Sequence, residues 1–393
     1  MSDMARGVPV GVLGSRSPDA VDQFGNLLTS RGQRIEWRVI AEDRFHDPTY
    51  STTLRRLPSD GVVVETAMRI ASGDIIERIY ASKDHTIIEF ENATPAACAV
   101  AVIVDGDIRI VVADRAPMQW CAGADVATVS SRLSGNETSA PPVLSGSELV
   151  GLVWPVAHRT TLRIAIGPSG VVVADLPAAE DVLRGWVPHL RRGLTVDIDD
   201  RVVQNAIDAA RVGALVAAPG VDLATARALE DWGFDAEAAA AWEKLGYLDR
   251  RRLRRSRDSG ANVWETLTAA LEINDGIGLL NAAHDVAIRD SGSSVDLFPH
   301  FPAAWLGLGI ALNNVPLRRG SMSVVLRWHG NRPALLWECE GDFAITASKL
   351  SPEFCSDAKS GEVLLPEPVA ELFSYGAEHS VTDVAVAPPG SFS

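Results

Sequence analysis

The chain has 393 residues, 47% of them hydrophobic, with a formal net charge of -15 and a pI near 5.0. That length exceeds one ordinary small core and predicts two or three packed globular units. The acidic balance opposes binding to phosphate backbones and anionic membrane surfaces, which argues against nucleic acid and membrane as partners.

The start, MSDMARGVPVGVLGSR, lacks the charged head, apolar core and cleavage site of a secretory signal, and no uncharged apolar run reaches spanning length. The expected compartment is therefore the cytoplasm. Up to about residue 176, short β-branched runs are separated by Gly, Pro, Asp and Ser: VPVGVLG, RIEWRVIAED, GVVVETAMRI, HTIIEFENA, ACAVAVIV, DIRIVVAD, TLRIAIG and GVVVADL. Turns such as DGD at 105–107 and GPSG at 167–170 are too short for crossover helices, so an antiparallel β-sandwich is predicted over 1–176. The Ser, Gly and Pro content of 131–147 predicts a loop.

At Pro177 the pattern changes. PAAEDVLRGWVPHLRRG predicts a linker helix within 177–199, and the spacing of Val203, Ala206, Ile207, Ala210 and Ala214 predicts a long amphipathic helix. Further helices are expected at LATARALEDWG, DAEAAAAWEKLGYL, DRRRLRRSRD, NVWETLTAALEI and 276–289, which makes 200–292 a helical region. Over 293–393 strand signals return in SMSVVLRW, PALLWECEG and DFAITAS, after the aromatic segment DLFPHFPAAWLGLG, and the tail beyond Val381 is expected to fray.

Several motifs carry no chemistry. The arginine run RRRLRRSR at 250–257 reads as a solvated helix face flanked by Asp249 and Asp258, and GVLGSRS lacks the ending of a phosphate loop. Cys98, Cys121, Cys339 and Cys355 are scattered, which fits neither a disulfide framework nor a zinc site; the histidines show no metal-ligand spacing, and no GxSxG elbow is present. No metal and no cofactor are implied.

What remains is aromatics and carboxylates. Sugars stack on flat rings, and glycosidic bonds are cut between two carboxyl groups. Trp232, Trp242, Trp264 and Trp305 lie near Glu230, Asp231, Glu265 and Glu272, and EDRFHDPTY gathers Asp43, His46, Asp47 and Tyr50. Each tryptophan also has a core reading. Glu265 has two readings as well: with Asn262 as cap it stands at the third helical position, where it can close a capping box, and it can equally face a cleft.

The order of β, linker helix, helices and β resembles glycoside hydrolases of the (α/α)-barrel type, the glucoamylase and bacterial trehalase group. Residues 174–217 look like their sandwich-to-barrel junction, and LRWHGNRPALLWE at 326–338 looks like a β-segment of related bacterial proteins. The chain is also similar in style to mycobacterial cytoplasmic proteins that process methylated mannose polysaccharides, endo-acting α-mannosidases among them.

The resemblance implies a multidomain α and β protein: an N-terminal antiparallel β-sandwich, a shortened (α/α) helical barrel or bundle, and a C-terminal β segment. It is shortened because 200–290 holds about half of twelve helices. In that group a glutamate directly after a tryptophan commonly serves as general acid, and VWE at 263–265 matches, making Glu265 the expected proton donor. The partner carboxylate is then sought in a sandwich loop, where Asp47 is the expected base or nucleophile, with Asp231 as alternative. Trp264, Trp232, Trp305, His46, Tyr50 and His300 are the expected sugar contacts. The expected function is hydrolysis of an α-linked oligosaccharide or polysaccharide; the alternative is a non-catalytic carbohydrate-binding or scaffold protein, a degenerate relative of the helical-barrel glycosidases that has lost the acid pair.

Overall fold

The computed structural model describes residues 7–15, 18–42, 44–56, 61–105, 111–121, 150–168, 170–217, 222–245 and 262–369. The loop expected over 131–147, the arginine run, Asp43 and the tail lie outside the described residues. The chain divides into two compact units, one of Met1–Pro188 with Leu215–Ala217, the other of His189–Ala214 with Ala218–Ser393.

The first unit is built from two antiparallel sheets. In one, the strands run in the order Val8–Val10, Asp19–Val21, Leu27–Leu28, Arg34–Ala41, Cys98–Val104, Val150–Val156 and Met118–Cys121, with Arg44–His46 also on Arg34–Ala41. The other has the order Val111–Ala113, Thr161–Ile166, His85–Asn92, Gly73–Ser82, Val64–Ile70 and Thr53–Arg56. The period of two explains the first sheet's inner face: Ile35, Trp37 and Val39 alternate with Glu36 and Arg38 and are buried. The ring of Trp37 meets Phe90 of the second sheet at 5.5 Å between centroids, so the two inner faces share a core.

Cys98–Val104 is buried along its whole length because the sheet's other face is also covered, where Ala99, Ala101 and Ile103 join Ile40 and Val153 beneath Phe45 and Met118. The second sheet is covered on its far face too. There Tyr80, Ile87 and Ala165 pack against Val173, Leu176 and Ala179, the last being the first residue of helix α1, Ala179–Arg192. The run GVVVADL, expected as a strand, forms a single 3-10 turn at Val173–Asp175: Val171 and Val173 plug this face rather than pairing at an edge, while Val172 points to solvent.

The second unit layers helices on sheets. A five-stranded antiparallel sheet has the order Thr195–Ile198, Ile310–Leu317, Gly320–His329, Arg332–Glu340 and Ser360–Leu364. A four-stranded sheet has the order Ile288–Asp290, Ser294–Leu297, Ala344–Ala347 and Ser351–Ser356, in which Ser294–Leu297 and Ala344–Ala347 run parallel. The remaining helices are α2 (Arg201–Ala217), α3 (Leu223–Asp231), α4 (Asp235–Lys244), α5 (Val263–Ile273) and α6 (Gly276–Ala287). Side-chain caps explain where several begin: Asp200 accepts from Val203 N–H at 3.1 Å, Asp222 from Thr225 N–H at 2.7 Å and Asp275 from Gly278 N–H at 3.0 Å.

These helices overturn the expected shortened (α/α) barrel or bundle. The six helices of the described residues sit among four mostly antiparallel sheets and build no helical ring. The reason lies in where their apolar stripes go. Ile207 of α2 and Ala283 and Ala287 of α6 converge on Val196, Ile198, Ile310 and Leu312 of the five-stranded sheet. A stripe already spent on a sheet cannot also line the inner wall of a toroid. No helix of the described residues is long and apolar enough to cross a membrane.

Candidate functional site

The residues expected to act on a sugar divide between the two units. Asp47, His46 and Tyr50 belong to the first; Glu265, Asp231, Trp232, Trp264, Trp305 and His300 belong to the second. Neither unit therefore holds both Glu265 and Asp47.

Glu265 is exposed at the third position of α5, and its backbone N–H donates to Asn262 Oδ1 at 3.4 Å, so the Asn262 cap is formed, while the return bond of a capping box, from the Asn262 N–H to the Glu265 carboxylate, is absent among the described residues. Asp47 has both carboxylate oxygens engaged: Oδ1 accepts from Thr49 N–H at 2.9 Å and Oδ2 from Arg38 Nε at 2.9 Å. Burial pushes its carboxyl up, but the hydrogen bonds from Thr49 and Arg38 and the Arg38 charge outweigh burial and hold it below the usual value. This is a turn residue closing Asp47–Tyr50, with Tyr50 left 89% exposed. His46 is buried, and burial followed by the Arg44 charge lowers its pKa.

Asp231, the alternative, is buried and accepts from Arg227 Nε at 3.0 Å, while Arg227 also pairs with Asp285. Burial pushes the Asp285 carboxyl up, and the neighbouring His284 ring and the Arg227 guanidinium bring it below its ordinary value. His300 accepts from Arg289 Nη2 at 2.8 Å, and burial and then the Arg289 charge lower its pKa.

The three tryptophans are core residues. Trp232 donates Nε1–H to the Leu280 carbonyl at 3.0 Å, and Trp264 meets Trp305 edge-on at 5.4 Å. Trp232 and Trp305 border an interior gap of only about 20 Å³. A cavity admitting even benzene is about 150 Å³, so no sugar ring stacks there.

A different place in the first unit has the dimensions of a ligand site, a groove of about 430 Å³. Its floor is apolar, with Val10, Val12, Ala81 and Ile166. Its walls come from the turn Thr29–Gln33, the hairpin turn at Lys83–Asp84 and the segment Gly167–Pro168, so both sheets contribute. Asp19 ties them together. Its Oδ1 accepts from Ser30 N–H at 2.7 Å and its Oδ2 from the Thr86 hydroxyl at 2.5 Å, one partner on each sheet's side of the groove.

The opposite wall is fixed by His85, whose Nε2–H donates to the Pro168 carbonyl at 2.9 Å. That approach requires glycine at 167: φ is +156°, and an added Cβ would stand 2.7 Å from the Asp84 carbonyl oxygen and 2.8 Å from the His85 ring. Arg31, Gln33, Lys83 and Asp84 complete the polar lining. Among the described residues no group of three or more His, Cys, Asp or Glu side chains is placed to hold a metal ion.

Sequence reasoning missed this groove. Asp19, Arg31, Lys83 and Gly167 each look like ordinary turn residues, and no linear spacing links them; the one legible signal was a polar turn at each strand end.

No protein-family model matches the chain, and no curated protein matches it. With no ring of helices among the described residues and no matching glycosidase family, the expected (α/α)-barrel glycoside hydrolase and α-mannosidase assignments do not hold.

Proposed function

We propose that the protein is a non-catalytic carbohydrate-binding protein whose ligand lies in the groove of the first unit. One observation supports this reading above all: an apolar floor is surrounded by Ser30, Arg31, Gln33, Lys83, Asp84 and His85, a mixture of donors and acceptors, in about 430 Å³. Each sugar hydroxyl both donates and accepts, and a pyranose turns CH groups outward on its faces, so a mixed polar rim over a hydrocarbon floor suits it. The volume falls within the ordinary range for small-molecule sites.

The hydrolytic expectation drew the role of Glu265 from the resemblance to (α/α)-barrel glycoside hydrolases. Residue 265 enters the Asn262 cap through its backbone N–H, and its exposed carboxylate takes no part in that bond.

Calorimetric titration of the full chain with a panel of monosaccharides and oligosaccharides tests the reading, with products followed over a day. Binding without new reducing ends is expected; Asp19→Ala, which frees both walls, should weaken it at least tenfold, and Glu265→Gln should leave it within twofold. Release of reducing ends by the wild type but not by Glu265→Gln would overturn the non-catalytic assignment, and absence of binding to every sugar would overturn the reading itself.

A further inference from the structure

Most described arginines of the first unit are paired with a carboxylate, the exposed Arg159 being an exception. Arg34 lies 3.0 Å from Glu36, Arg38 2.9 Å from Asp47, Arg78 2.8 Å from Glu91 and Arg163 2.8 Å from Glu89. Arg69 and Arg115 are likewise paired, with Asp74 and Asp114. Arg31 and Lys83 make no ion pair or side-chain hydrogen bond among the described residues, yet both line the groove.

The two carboxylates nearby do not answer them in the same way. Both oxygens of Asp19 already accept from Ser30 and Thr86. Asp84 also lines the rim but makes no ion pair with either cation among the described residues. Lys83 is also held at φ +52°, a left-handed conformation that glycine or asparagine adopts more cheaply than lysine. In a chain of net charge -15, a small anion meets a repulsive long-range field, screened beyond about 8–10 Å at physiological salt. An anion would therefore be held by local donors, and Arg31 supplies the planar fork that matches carboxylate and phosphate oxygens.

We infer that the groove takes an acidic saccharide, a sugar bearing a carboxylate, phosphate or sulfate, with the anionic group set between Arg31 and Lys83 and the hydroxyls on the remaining rim. This rests on the carbohydrate reading above and narrows it.

The test is titration of the full chain with glucose, galactose and mannose, with the 6-carboxylate and 6-phosphate of each, and with inorganic phosphate alone. At 50 mM salt at least one acidic sugar should bind tenfold or more tightly than its neutral parent, equivalent to about 1.4 kcal/mol. The advantage should shrink at 500 mM salt and vanish in the double variant Arg31→Gln/Lys83→Gln, whose circular dichroism should match wild type because both side chains are exposed. Neutral sugars binding as tightly as acidic ones would overturn this inference and leave the carbohydrate reading standing. Phosphate alone binding as tightly as the sugar phosphates would overturn the saccharide part of both, leaving an anion site. Failure of every probe to bind would overturn both.

Discussion

Tyr80 shows how one buried hydroxyl sets a pH limit on the first unit. Its oxygen lies 2.6 Å from Glu89 Oε1, and Arg163 closes on the same carboxylate from Nη2 at 2.8 Å. Burial, then the hydrogen bond and charge of Glu89, push the tyrosine far above its ordinary value. The folded chain keeps this proton at a pH where the unfolded chain, with tyrosine near about 10, has lost it. Stability contributed by the neutral hydroxyl is thus complete below about pH 10 and declines as pH rises further. Urea midpoints followed from pH 8 to 11 should fall less steeply for Tyr80→Phe than for wild type, and equal slopes would refute the assignment. Neither this network nor the groove was legible at residue scale: residues 80, 89 and 163 are joined by strand register, and Asp19 looks like any aspartate that opens a strand.

At the scale of elements, the sequence was most informative where local periodicity and burial agree. Ile35, Trp37 and Val39 follow the two-residue period of a half-buried strand and are buried, and of the helical stripe Val203, Ala206, Ile207, Ala210 and Ala214 all but the half-buried Ala206 are buried. The valines at 171–173 misled because a short apolar run has no period of its own, and only the neighbouring sheet decides whether it pairs or plugs. Helix α5 offers a clean separation of structural and catalytic roles. Asn262→Ala removes the side-chain acceptor at the helix start and should cost about 1 kcal/mol in urea unfolding. Glu265→Gln keeps the backbone N–H that Asn262 receives and should cost about 0.5 kcal/mol, mainly through weaker interaction with the helix dipole. A glutamate variant more damaging than the asparagine variant would contradict the capping account.

The whole molecule is two units, each with its own apolar core. Separate cores predict separate cooperative transitions. Trp232 is fully buried in the second unit, and replacing it with alanine should cost about 3–5 kcal/mol. For a unit of this size that is a drop of roughly 10 °C in one calorimetric transition, with the other unmoved. A single transition that shifts as a whole would show the cores to be thermodynamically coupled.

Chain order misled at this scale. A succession of strand, helix and strand runs is compatible with a helical ring between two β segments and equally with helices laid over sheets, because amphipathic helices have the same stripe in both.

Local chemistry lay in the sequence by itself: the cap at Asn262, the alternation of the strands, and an acidic charge balance are set by composition and by neighbours a few residues apart. Tertiary structure alone decided which surface each apolar stripe met, that the tryptophans expected to hold sugar would be core, and that turns around residues 19, 31, 83 and 167 would share a groove. The difference is one of range. Backbone geometry and capping act within a turn or a strand, whereas a binding site is made by packing between segments whose separation along the chain leaves no periodic trace.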